Sequence, residues 1–248
     1  MENRPVMSFS GMSPAPGADS EIYGRFVNWM TEVYAPLHMT VPGRTGMDMY
    51  KIVTANPEYP SLLGLLHYKN IQAREASITN PERIAVANEL NAWIKRRVMV
   101  YVWVAPYELV KSFRSEQANK QSKEDTMIEN APILHIEGYR FRQGDQEKYA
   151  NWLNDYAFNS FVPLIIGLPR IKGYDCYKNI GSKTLVESSE WDYPDSVSAL
   201  YFEDIAAFEN YTKSRELLAF QKATLNVFPN GLNLKWYVQY QLIKSWRK

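Results

Sequence analysis

A chain that repeats itself folds as copies of one unit, and this 248-residue sequence repeats in five blocks. Glu2-Asn3-x-Pro5-Val6, followed by Gly11, returns as Glu129-Asn130-x-Pro132-Ile133, followed by Gly138. Asn28-Trp29-Met30 returns as Asn151-Trp152-Leu153, and Pro42-x-x-x-Gly46-x-Asp48-x-Tyr50-Lys51 as Pro169-x-x-x-Gly173-x-Asp175-x-Tyr177-Lys178. Tyr59-Pro60 and its downstream Leu66, Ile71, Ala73 and Glu75 match Tyr193-Pro194 with Leu200, Ile205, Ala207 and Glu209. The last block, Trp103-x-x-x-Tyr107-x-Leu109-Val110-Lys111-Ser112-Phe113, matches Trp236-x-x-x-Tyr240-x-Leu242-Ile243-Lys244-Ser245-Trp246. Five blocks in one order identify two copies of a single unit, residues 1–113 and 129–248. Residues 114–128 between them are polar with no apolar period, and read as a linker.

Both copies carry the same order of elements. Residues 5–11 and 132–141 alternate and read as first strands. Residues 20–34 and 146–158 place apolar side chains at helical spacing. Second strands follow at 47–53 and 174–180, third strands at 62–68 and 197–202, then a helical region. It is capped by Asn80 before Pro81 in copy one and by Ser214 in copy two. Residues 98–105 and 232–240 close the units as fourth strands. The order β-α-β-β-α-β, twice, is the ferredoxin-like pattern. Copy one alone has a Pro/Gly loop at 12–19; copy two alone has four extra residues around 159–162.

The helical stretches 70–89 and 204–222, with Asn80-Pro81-Glu82 and Ser214-Arg215-Glu216 as caps, resemble the dimeric α+β barrel superfamily. The phrase Glu137-Gly138-Tyr139-Arg140-Phe141 resembles the opening strand of its EthD-like and NIPSNAP-like members. Independently, two helices cover only one face of a four-stranded sheet, so the other face needs a partner. The expected fold is α+β: two tandem ferredoxin-like units whose antiparallel sheets pack face to face as an α+β barrel within one chain.

Composition narrows the function classes. Lys plus Arg number 28 against 27 Asp plus Glu, which gives no basic field for nucleic acid. The apolar runs are too short to span a bilayer, and the first residues lack a signal-peptide pattern, so a cytoplasmic protein without a membrane partner is expected. Cys176 is the single cysteine and excludes an intrachain disulfide. It reads as core. A monomer or weak homo-oligomer is expected.

Alternation with Leu134 and Ile136 turned to the helices places His135 and Glu137 on the opposite face. There they would join Asp175, Tyr177, Tyr201, Lys235 and Tyr237. The first four are candidate catalytic residues and the last three candidate binding residues. Asp48, Tyr50 and His67 are the copy-one binding candidates, where Ser8, Ser10 and Val102 stand for His135, Glu137 and Lys235. On this reading the working site is in copy two. The same groups also suit a hydrogen-bonded structural network, and the repeated Gly-x-Asp-x-Tyr-Lys suits a strand entry with Asp pairing across strands. No paired-His or Glu-x-x-His spacing supports a metal site, and none is expected.

The superfamily resemblance implies a cofactor-independent monooxygenase or isomerase acting on a small hydrophobic or aromatic compound, with no cofactor. Some relatives bind haem through one axial histidine, which makes His38, His67 and His135 the haem candidates. The 17 Tyr, 10 Phe and 7 Trp suit either cross-strand packing or a pocket for an aromatic or polycyclic ligand. The other function class compatible with the sequence is a non-catalytic ligand-binding or assembly module.

Overall fold

The computed structural model describes residues 4–116, 133–142, 144–181 and 193–248, with the Trp103 side chain excepted. Its strands are β1 (Val6–Pro14), β2 (Arg44–Ile52), β3 (Leu62–Tyr68), β4 (Met99–Arg114), β5 (Ile133–Arg140), β6 (Ile171–Asn179), β7 (Ser196–Phe202) and β8 (Asn233–Arg247). They hydrogen-bond in the order β1-β3-β2-β8-β5-β7-β6-β4 as a closed barrel, antiparallel in every described pairing. The expected α+β barrel class is what the chain adopts. No described helix is long and apolar enough to cross a membrane.

By compactness the chain divides into two units, and these are not the repeat copies residue for residue. Unit 1 runs to Leu109 and takes in Asn179–Trp191 and Tyr240–Lys248; unit 2 takes Val110–Lys178 and Asp192–Gln239. The ends of the two long strands are exchanged. β4 continues to Arg114, so residue 114 of the expected linker 114–128 is strand, and 117–132 lie outside the described residues. Both fourth strands were expected to be shorter. Their second halves mix polar and apolar residues, with Ser112 and Arg114 or Ser245 and Arg247 alternating with Phe113 or Trp246, a pattern that reads as polar until its partners are known.

In unit 1, α1 (Ser20–Trp29) starts where Asp19 accepts from the backbone N–H of Glu21 and Ile22, at 2.8 and 3.0 Å. A five-residue π-helical stretch, Met30–Tyr34, leads into α2 (Ala35–Thr40). After β3 come α3 (Ile71–Ile78), capped by Asn70, and α4 (Pro81–Lys95), capped by Asn80 as expected. Phe26, Met30, Val86 and Leu90 from these helices pack on Val6, Met47, Leu62 and Leu66 of the sheet.

Unit 2 repeats the plan with α5 (Asp145–Trp152), a nine-residue π-helical stretch Leu153–Phe161, and α6 (Val162–Ile166). The extra four residues are absorbed as a longer π-helical stretch, which widens the helix without breaking it. α7 (Ile205–Thr212), capped by Asp204, and α8 (Arg215–Val227), capped by Ser214, complete it. Trp152, Phe158, Tyr211 and Leu217 close over Ile133, Leu200 and Phe202. Trp236 is buried.

Candidate functional site

Residues directly opposite each other in an antiparallel pair point to the same face. In unit 2, His135 pairs with Leu200, and Leu200 with Tyr174; Ile136 pairs with Ala199, and Ala199 with Asp175. Leu200 belongs to the helix-side core, so His135 and Glu137 point to the helices and Asp175 to the opposite face. The expected cluster is therefore divided. His135, Glu137 and Tyr237 lie on the helix side, and strand alternation puts Lys235 with Tyr237. Asp175, Tyr177 and Tyr201 lie on the other. The reason is physical: Ile133 to Ile136 are all buried, so hydrophobicity does not alternate along the strand and cannot show which way it faces.

On its helix side, His135 is fully buried and both ring nitrogens are engaged. Nε2 meets Glu137 Oε1 at 3.1 Å and Nδ1 meets the Gln239 side-chain amide at 3.0 Å. Tyr237 and Phe208 pack their rings on the imidazole. Tyr139 donates to the other oxygen of Glu137 at 2.5 Å. Burial alone would raise the Glu137 pKa, yet hydrogen bonds and charge from His135 and the Tyr139 bond bring it below the usual carboxylate range. The cavity beside this trio is only about 20 Å³, about the size of one water.

The opposite faces of both units hold the same device. In unit 2, Arg114 grips Asp175 with both terminal nitrogens, at 2.7 and 3.1 Å, and Ser112 donates to it at 2.6 Å. Tyr177 donates to the same carboxylate at 3.1 Å, and the Arg114 guanidinium lies over the Tyr201 ring. In unit 1, Arg247 grips Asp48 at 2.8 and 3.1 Å, Ser245 donates to it, and His67 Nε2 meets it at 2.6 Å. Tyr50 is buried on the same face, by its pairing in register with Leu63. Burial would raise the Asp48 pKa, but His67 and Arg247 bring it down to about 2. In each unit the Asp comes from the second strand, and the Arg and Ser come from the end of a long strand that closes the other half of the sequence. The repeated Gly-x-Asp-x-Tyr-Lys serves this clamp. A Cβ at Gly46 would sit 3.0 Å from Arg247 Nη1 and 3.2 Å from His67 Cδ2, so that glycine makes room for the clamp rather than for a turn.

The larger cavity, about 100 Å³, lies on the helix side of unit 1. Ser8 and Ser10 from β1, Tyr68 from β3, Arg74 from α3, Arg83 from α4 and His38 from α2 line it. Behind them Arg44, 2% exposed, donates to His38 Nδ1 and to the Tyr68 hydroxyl. Arg74 Nε donates to Ser8 Oγ at 3.0 Å. Arg83 Nε and Nη1 and Arg44 Nε are buried without a hydrogen-bond partner. No Asp or Glu lines the cavity among the described residues. Burial, then the charges of Arg44 and Arg83, hold the His38 pKa well below 6.5, so His38 is neutral. An arginine only donates, so Nδ1 accepts and the ring proton sits on Nε2. Every charged group at this cavity is therefore a hydrogen-bond donor.

These arginines were not legible as a site, although a signal existed. The sheet registers match Arg44 with Ile171, since each pairs with the last residue of the third strand. Counting from the matched caps Asn70 and Asp204, and Asn80 and Ser214, Arg74 corresponds to Phe208 and Arg83 to Leu217. Three apolar positions of one unit are arginines in the other.

The haem candidates fail on space and on partners. Both cavities are smaller than the 150 Å³ that accommodates a single benzene ring. His135 has both nitrogens engaged, His38 Nδ1 is held by Arg44, and His67 Nε2 is held by Asp48. Neither of these two cavities fits a haem. Nor do the described residues bring together three His, Cys, Asp or Glu side chains able to hold a metal ion. A polycyclic ligand is likewise too large for either cavity. Burial pushes the Cys176 thiol up to about 12, in keeping with a core residue.

No family model matches the sequence, and no curated protein matches it. Solved structures do. An anthrone oxidase-like protein superposes with a TM-score of 0.67 at 10% identity, covering 99% of this chain and 94% of its own. A chain named "Putative monooxygenase" from Fusobacterium nucleatum subsp. nucleatum gives 0.64 at 10%, covering 100% and 96%. A mutant chlorite dismutase from Candidatus Nitrospira defluvii gives 0.57 at 12%, covering 98% and 92%. At such identities the likeness speaks for the fold alone, and that fold is the α+β barrel.

Proposed function

We propose that this chain binds a small molecule in the helix-side cavity of unit 1 and acts on it as a cofactor-independent monooxygenase or isomerase. The observation that carries this reading is the cavity itself: about 100 Å³, lined by donors above an apolar floor of Leu66, Ile78 and Leu90. Donors aimed at one small space stabilise charge that develops on a substrate oxygen, which is the demand of enolate chemistry. The names of the neighbouring structures, a monooxygenase and an anthrone oxidase-like protein, support a reaction of this class. Tandem duplication and the EthD-like or NIPSNAP-like resemblance of the Glu137-Gly138-Tyr139 strand belong to the same reading. The site moves from copy two, where the divided cluster leaves room for about one water, to copy one.

The test uses two small fluorinated probes, fluoroacetone and fluoroacetamide, followed by ¹⁹F NMR with the wild type and with Ala87→Phe, which fills the cavity. At least one probe binds the wild type and is lost in the variant. Binding that survives Ala87→Phe, or no binding at all, contradicts the reading. An oxygen electrode with the bound probe then separates turnover from the second function class, a ligand-binding module without catalysis.

A further inference from the structure

Resting on that reading, we infer that the ligand of unit 1 is bound as a small organic anion, a carboxylate held by Arg83 and Arg74 with Arg44 behind them. Two arginines, Arg74 and Arg83, line one small space, Arg44 stands behind them on Tyr68, and no carboxylate lines it among the described residues. A structural arginine in a protein interior is matched by an acceptor, because a buried charge without one is unfavourable. The clamps of this same molecule show the matched arrangement: Arg114 on Asp175 and Arg247 on Asp48, two bonds each. Arg83 is half-buried as a residue, and both its Nε and its Nη1 are buried without a hydrogen-bond partner. At the matching place unit 2 has Leu217, so the fold itself does not require a cation there.

The field of the arginines is already visible on a neighbouring group. Burial would raise the Tyr68 phenol pKa, yet the charges of Arg44, Arg83 and Arg74 and a bond with Ser77 bring it below its ordinary value. Burial and the Arg83 charge each lower the pKa values of Arg44 and Arg74. The cavity lacks a negative charge, and an anion entering it supplies one. Its volume and apolar floor select an organic body of a few carbon atoms. The planar fork of arginine suits a carboxylate.

Isothermal titration calorimetry on the full chain compares propionate, its neutral isostere propionamide, and inorganic phosphate. Propionate is expected to bind at least about tenfold more tightly than propionamide, the equivalent of one charge-assisted hydrogen bond. Arg83→Leu, which writes the unit 2 residue into unit 1, abolishes that preference while the thermal midpoint holds or rises, since two buried nitrogens without a partner are removed. Arg83→Gln, neutral but of similar reach, loses the preference as well and guards against repacking around leucine. Propionamide binding as tightly as propionate overturns the anion inference and leaves the cavity reading standing. Preference for propionate retained in both variants, or phosphate binding more tightly than propionate, overturns the inference too. If none of the three binds, the inference and the reading on which it rests fall together.

Discussion

The helix-side interiors of the two units differ, although the order of their elements is the same. In unit 2, Ile171, Phe208 and Leu217 join a packed aromatic core, and the polar groups are confined to one closed trio, His135, Glu137 and Tyr139. In unit 1 the same three positions are Arg44, Arg74 and Arg83, and a cavity stands where the packing would be. The first strand differs as well, with Ser8 and Ser10 lining the cavity where His135 and Glu137 stand in unit 2. On the other face the two units agree, Asp for Asp, Arg for Arg, Ser for Ser. The lesson is that the clamp belongs to the fold, and the arginines belong to something the fold does not need.

The largest expected effects concern the shared clamp. Arg114→Ala and Arg247→Ala each leave a buried carboxylate without its cation, and each is expected to cost about 3–5 kcal/mol in urea unfolding. A loss below about 1 kcal/mol at either site breaks the claim that the two faces are alike. Next comes the exchange that the comparison itself suggests. Leu217→Arg places an unpaired charge in the packed core of unit 2 and is expected to cost at least about 3 kcal/mol. If Leu217→Arg is tolerated, the unit 2 interior is not the closed core described.

Acid sharpens the comparison further. Asp48 has a folded pKa of about 2, depressed below its ordinary 3.8. Its contribution, about 2 kcal/mol, is fully present above pH 4 and is lost as the pH falls toward 2. Asp48→Asn therefore flattens the acid limb of the stability curve in that window, and an unchanged limb argues against the His67 and Arg247 pairing. The smallest effect is at Cys176, whose buried thiol is expected to stay unreactive to a disulfide reagent until the chain unfolds.

The repeat and the turn residues made the fold legible, because Asn80, Ser214 and the matched strand blocks act locally, whatever surrounds them. Much of the site was not legible. The face of His135 depends on which side of β5 packs on helices, and a strand buried on both sides carries no such mark. The clamps were half legible: Asp48 and Asp175 stood out, while Arg114 and Arg247, matched beyond the end of the last repeat block, read as linker and terminus. Arg44, Arg74 and Arg83 are far apart in sequence and resemble ordinary surface residues. Only their alignment with Ile171, Phe208 and Leu217 marks them as interior.

The central claim is that the interior of unit 1 holds an anion and that of unit 2 does not. A crystal soaked in sodium bromide and measured at the bromine absorption edge tests it most directly. The account predicts an anomalous peak in the unit 1 cavity within reach of Arg83 and Arg74, and none beside Leu217 in unit 2. Anomalous peaks confined to the protein surface, with the unit 1 cavity empty, would contradict it.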